Sequence, residues 1–113
     1  MGQARRAAQD FAAGHGLPRA RLADVALAVS EAVSNVIVHA YRGRSAPGVL
    51  DLTLEARDGA VHVAIRDFGV GLVPRDDSPG LGLGLGVIGR VADRLEINAP
   101  RDGGTELRMV FVL

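Results

Sequence analysis

Two periods of apolar residue alternate along this chain, and the changes between them mark its elements. Helical spacing predicts a first helix from about Gln3 to Ala13, closed by Gly14 and Gly16, which tolerate left-handed backbone. A second helix is predicted from Pro18, a residue suited to a first helical turn, to about Tyr41, where Gly43, Ser45, Pro47 and Gly48 break it. The period then becomes two: Leu50, Leu52 and Leu54 alternate with Asp51, Thr53 and Glu55, as in a half-buried strand. Asp58-Gly59 signals a hairpin, and the return strand, Val61 to Arg66, sends Val61, Val63 and Ile65 to one side. A loop rich in Gly, Pro and Asp is expected from Phe68 to about Leu83. A short helix follows from about Gly84 to Asp93, with Ile88, Val91 and Ala92 inward. Strands at Leu95 to Asn98 and Thr105 to Leu113, joined through Asp102-Gly103-Gly104, finish the chain. This order reads as an α+β fold, a two-layer sandwich of a mixed β-sheet with helices on one face, in a single domain spanning residues 1–113.

Composition narrows the chemistry. The 13 basic and 13 acidic side chains cancel, which gives no electrostatic footprint for nucleic acid or an anionic membrane. Cysteine is absent, excluding disulfides, thiolate metal sites and cysteine nucleophiles. Every basic residue is arginine, so a Walker A lysine, a protein-kinase strand lysine and a Schiff base are excluded too. No window holds the ~20 consecutive apolar residues of a membrane span, and no signal-peptide stretch follows Arg5 and Arg6, so a cytoplasmic protein is expected. Glycine, with 15 residues, is about twice its usual ~7%, and it clusters between Gly69 and Gly89.

Three features carry candidate chemistry. On the second helix, Leu22, Val25, Val29, Ala32, Val33, Val36 and Ala40 share an apolar face, while Asp24, Glu31, Asn35 and His39 gather on another. Glu31 and Asn35, four residues apart, place a carboxylate and an amide oxygen toward one ligand such as a hydrated magnesium ion; a solvated polar stripe has the same spacing. Asp67 continues the parity of Val61, Val63 and Ile65, so its carboxylate is aimed at the core, where it needs a strong donor. A bound amino-purine is one such donor; a turn capped by Asp67 is the other reading. The run Gly80-Leu81-Gly82-Leu83-Gly84-Leu85-Gly86 leads into the third helix, as a phosphate cradle or a mobile glycine loop would. Among the histidines, His15 is expected to cap a helix end and His62 to face solvent, and no zinc site emerges.

Glu31-Ala-Val-Ser-Asn35, His39-Ala-Tyr41, Asp67-Phe-Gly-Val-Gly71, Gly82-Leu-Gly-Leu85 and Gly104-Thr105 follow one another on these elements. In that order they resemble the Bergerat-type ATP-binding fold of DNA gyrase, sensor histidine kinases and the mismatch-repair protein MutL. The resemblance covers nearly the whole chain. The wording around Ser30 to Asn35, the His-Ala-Tyr ending and the short segment between Gly71 and Gly82 are most similar to the small anti-sigma factor serine kinases of bacteria. Two departures are visible: the chain opens on its first helix, where members usually carry an edge strand, and it keeps both glycines of Asp-x-Gly-x-Gly, where many anti-sigma kinases keep the first alone.

The resemblance implies ATP and Mg2+ as cofactors. By it, Glu31 is the general base toward a substrate hydroxyl and Asn35 holds the magnesium ion. Asp67 accepts the adenine amino group, with Thr105 supporting it and Gly69 and Gly71 shaping the base pocket. Gly82 and Gly84, with the backbone at Leu83 and Leu85, cradle the phosphates, and Arg42, Arg44 or Arg75 could add a positive charge there. The implied partners are an anti-anti-sigma protein, phosphorylated on serine, a sigma factor and a second copy of the chain, with no direct contact to nucleic acid or membrane. Two alternatives remain open: an ATP-binding switch without catalysis that sequesters a partner, and a detached histidine-kinase catalytic domain.

Overall fold

A computed structural model describes residues 2–35, 50–68, 79–101 and 103–113. Helix α1 spans Gly2–Gly14 and presents Ala8 and Ala12, both fully buried, to the core. It ends in a Schellman motif: Gly16 adopts φ +96°, its N–H bonds the Ala13 carbonyl at 3.2 Å, and the Leu17 N–H bonds the Ala12 carbonyl at 3.0 Å. The second helix is shorter at its start than the sequence suggests. Pro18 has ψ 142°, an extended backbone, so a 3-10 turn at Arg19–Arg21 intervenes before α2, Leu22–Asn35. Val25, Ala28, Val29, Ala32 and Val33 form the buried stripe of α2, which packs between α1 and the third helix. The expected continuation to Tyr41, including His39, lies outside the described residues.

Strands β1 (Leu50–Arg57) and β2 (Ala60–Asp67) are joined by Asp58 at φ 53° and Gly59 at φ 71°, the left-handed pair of a type I′ turn. Helix α3 (Pro79–Val91), β3 (Arg94–Asn98) and β4 (Thr105–Val112) complete the chain. The four strands are ordered β1-β2-β4-β3. Each described ladder is antiparallel, which corrects the expected mixed sheet. The α3 crossover does return β3 parallel to β2. However, β4 inserts between them, so no parallel pair forms a ladder among the described strands.

Register sorts the side chains into two faces. The helix-covered face stacks Ala56–Val61–Phe111, Leu54–Val63–Met109–Leu95 and Leu52–Ile65–Leu107–Ile97 across the strands. Val61, Val63, Ile65, Met109 and Phe111 are wholly buried there, each side chain contributing about 1.5–3 kcal/mol of burial. At the far edge, Arg21 ties the layers together. Its guanidinium donates to the Val91 carbonyl and to Asp93 Oδ2, both at 3.1 Å, and lies 5.9 Å above the Phe111 ring. Asp93 Oδ2 also accepts the Val112 N–H at 2.7 Å.

Candidate functional site

The next row of the covered face departs from the apolar pattern. After Val61, Val63 and Ile65, the same parity of β2 delivers Asp67, only 1% exposed, at the strand's C-terminal end. Its partner on β1 is Leu50; its partner on β4 is Thr105, also buried. Strand geometry thus carries the carboxylate to core depth, as its parity requires, rather than leaving it to cap an exposed turn. Neither Asp67 nor Thr105 is without a partner in the fold. An ionised carboxylate accepts at about four lone-pair positions, so it can serve the fold and still receive a ligand N–H.

Glycine shapes the same corner. The connection into β4 holds Gly103 at φ +102° and Gly104 at φ +78°. A Cβ on Gly104 would fall on the Asp67 carbonyl oxygen and come within 3.1 Å of the Phe68 Cα. Sequence reading marked Gly104 as part of a motif but missed this approach; the Gly-Gly doublet after Asp102 was its one signal. Phe68, half exposed, continues from Asp67 at the rim, with the Arg66 guanidinium 4.8 Å above its ring.

The last turns of α2 bring in the second set. Asn35 is 5% exposed, and its amide nitrogen is buried without a hydrogen-bond partner among the described residues. Glu31, one turn earlier, is half-buried. A buried amide with an unsatisfied atom costs about 1–3 kcal/mol, which a ligand at the helix end would recover. The unsatisfied group is an N–H donor, which suits a nucleotide's phosphate oxygen; the amide oxygen beside it is the kind of atom that magnesium takes.

The glycine run is placed differently from expectation. The sequence put the helix start at Gly84, after a loop; α3 begins at Pro79, so Gly82, Leu83, Gly84 and Leu85 lie inside it. Proline is preorganised for a first helical turn, and the loop-to-helix boundary moves back to it. The N–H groups free to meet an anion are then those at the start of the helix, near Gly80 and Leu81, while those from Leu83 onward bond along it. The Leu85 side chain packs against the core. Gly69, Gly71, Arg42, Arg44 and Arg75 lie outside the described residues.

Two histidine expectations can be compared. His15 follows α1, its ring 4.3 Å from that of Phe11. His62 has the outward parity expected, but both ring nitrogens are covered and have no hydrogen-bond partner among the described residues. His62 is partly buried and lines a surface cavity together with Arg57 and Arg108.

A family model described as the histidine kinase-like ATPase domain matches residues 1–111. The chain belongs to that family. The α+β fold and the anti-sigma kinase-like character of the sequence agree with this membership. The chain is 34% identical over 99 residues to the anti-sigma F factor of Clostridium botulinum (strain Eklund 17B / Type B), covering 78% of this chain and 68% of that protein. It is 29% identical over 103 residues to the anti-sigma F factor of Bacillus thuringiensis (strain Al Hakam), covering 81% and 70%. Among solved structures it is similar to the histidine kinase domain of the Erythrobacter litoralis EL346 blue-light activated histidine kinase. There the TM-score is 0.62 at 30% identity, over 82% of this chain and 45% of that one. The chain therefore spans less than half of that histidine kinase domain. Membership of a histidine kinase-like ATPase family implies ATP binding, and the buried Asp67–Thr105 pair is the polar end of a sheet face whose other rows are apolar. No helix among the described residues is long and apolar enough to cross a membrane.

Proposed function

We propose that this histidine kinase-like ATPase domain is a cytoplasmic, magnesium-dependent protein serine kinase that also acts as an anti-sigma factor, regulating transcription through its partners. The observation that carries the reading is the buried carboxylate of Asp67 at the end of an apolar strand face, opposite Thr105. The relatives named anti-sigma F factor support a sigma factor as partner, and the motif resemblance adds an anti-anti-sigma protein phosphorylated on serine.

In this reading Asp67 accepts the adenine amino group and Thr105 steadies it, while Gly69 and Gly71 line the base. Asn35 offers its amide oxygen to magnesium, which when bound neutralises charge on the phosphoryl oxygens. The start of α3, near Gly80 and Leu81, offers its free N–H groups to the phosphates, in place of the cradle at Gly82, Leu83, Gly84 and Leu85 that the resemblance implies. Glu31 takes the proton of the incoming serine hydroxyl as its oxygen bonds the γ-phosphorus and the bond to the ADP oxygen breaks. General-base assistance of this kind is worth about 10²–10⁴-fold.

The test is transfer of γ-labelled phosphate from ATP to candidate partners. Acid-stable label on a partner serine, reduced about 10²–10⁴-fold in Glu31→Gln with ATP binding kept, is the expected result. Normal transfer by Glu31→Gln would remove the base assignment. The likeness to a histidine kinase domain favours a second reading, transfer to a partner's histidine, for which the label would be acid-labile. ATP binding with no label on any partner would leave the non-catalytic switch.

A further inference from the structure

We infer that Gly104 is a positioning residue that sets the nucleobase preference of the site by letting the β3–β4 connection lie directly on the backbone of Asp67. The inference rests on the adenine-reading role proposed for Asp67 and adds a residue to which that role assigns nothing.

Asp67 closes β2 and Thr105 opens β4, and the two are partners in register. For Thr105 to reach that position, the chain must arrive across the end of β2. It does so at Gly104, whose backbone stands so close that a Cβ would overlap the Asp67 carbonyl oxygen and lie 2.9 Å from its carbonyl carbon. Those are backbone atoms of a buried residue, and they cannot swing aside as the tip of a long side chain does. A side chain at Gly104 must therefore displace either Thr105 or the Asp67-Phe68 backbone. A displacement on the order of an ångström suffices to lose a well-aligned contact.

Gly103 supplies an internal control. It has the same left-handed backbone, φ +102°, but a Cβ there meets nothing within 4 Å. Alanine at either position suffers the left-handed strain; at Gly104 alone it also collides with Asp67.

The experiment measures binding of Mg-ATP and Mg-ITP by calorimetry to the wild-type chain, Gly103→Ala and Gly104→Ala, with circular dichroism to verify folding. Inosine carries an oxygen where adenine carries the amino group, so the wild type should prefer ATP by about 10- to 100-fold. Gly103→Ala should keep that preference, and folded Gly104→Ala should lose it, binding the two nucleotides within about threefold of each other. A folded Gly104→Ala with the full preference would overturn the inference. A wild type indifferent to the base would instead sink the adenine reading of Asp67, and this inference with it. If Gly104→Ala fails to fold, D-alanine introduced at position 104 by semisynthesis decides. Its methyl group projects from the other side of the backbone and suits a positive φ, so the fold and the ATP preference should return; a folded D-alanine protein without the preference overturns the inference.

Discussion

The two faces of the sheet use the same four strands to opposite ends. The covered face is apolar row after row until Leu50–Asp67–Thr105. The other face carries Glu55–His62–Val110–Arg94, Thr53–Ala64–Arg108–Glu96 and Asp51–Arg66–Glu106–Asn98. Its charges pair sideways at the surface: Arg57 with Glu55 at 3.1 Å and Asp58 at 3.2 Å, and Arg108 with Glu106 at 3.4 Å. Exposed pairs of this kind contribute about 0–1 kcal/mol each, because water competes for both partners. A carboxylate on the covered face has no such exchange with water and must be held by fixed groups. Polar residues are thus uninformative on one face and diagnostic on the other, and Asp67 is diagnostic because it breaks its own strand's pattern.

The comparison can be broken hardest at Phe111, the largest wholly buried side chain of the covered face. Phe111→Ala should destabilise the fold by about 3–5 kcal/mol, measured by urea unfolding, since it removes the ring that packs the core and underlies Arg21. A cost below about 1 kcal/mol would mean that this row is not the core that its register implies.

Asp67→Asn sharpens the comparison at the row where the two faces' chemistries meet. The side chains are nearly isosteric, so the fold should survive. The amide can turn a donor toward the adenine amino group, and nucleotide affinity should fall by about 1.5–3 kcal/mol in calorimetry. Unchanged ATP affinity in a folded variant would return Asp67 to a structural role.

Much of this division was legible in the residues themselves. Leu50 to Glu55 and Val61 to Ile65 announce the two faces by alternation, and the parity of Asp67 points its carboxylate to the core. Only the strand's continuation to Asp67 rules out the turn cap that the residues equally allow. Asp58-Gly59 names its own turn. Pairing order was harder, because alternation says which way a side chain points but not which strand lies beside it; hence the mixed sheet expected where β4 separates β2 from β3. The start of α3 at Pro79 was obscured by alternating glycines, which lower helix propensity by about 1 kcal/mol each relative to alanine and read locally as loop. The approach of Gly104 to Asp67 joins residues distant in sequence, and no local pattern encodes it. His62 was misjudged for a related reason: outward parity is local, but shielding comes from neighbouring strands.

That misjudged residue offers the smallest and most discriminating test of the open face. A solvated His62 would exchange hydrogen bonds with water, and its replacement would change stability little in either direction. Both ring nitrogens are covered and neither has a hydrogen-bond partner among the described residues, so there the imidazole N–H has given up water without recompense. An unsatisfied buried donor costs about 1–3 kcal/mol. Valine at this position keeps a side chain suited to a strand, removes the unsatisfied atoms and loses part of the ring's contact area. The two changes oppose each other, and the net should be a gain of up to about 1 kcal/mol in urea unfolding. Nucleotide affinity should not move, because His62 lies on the face opposite Asp67. A loss of more than about 1 kcal/mol would show that the ring is held by a bond the packing does not display, and the open face would then contain a second place where a polar side chain is fixed by the fold.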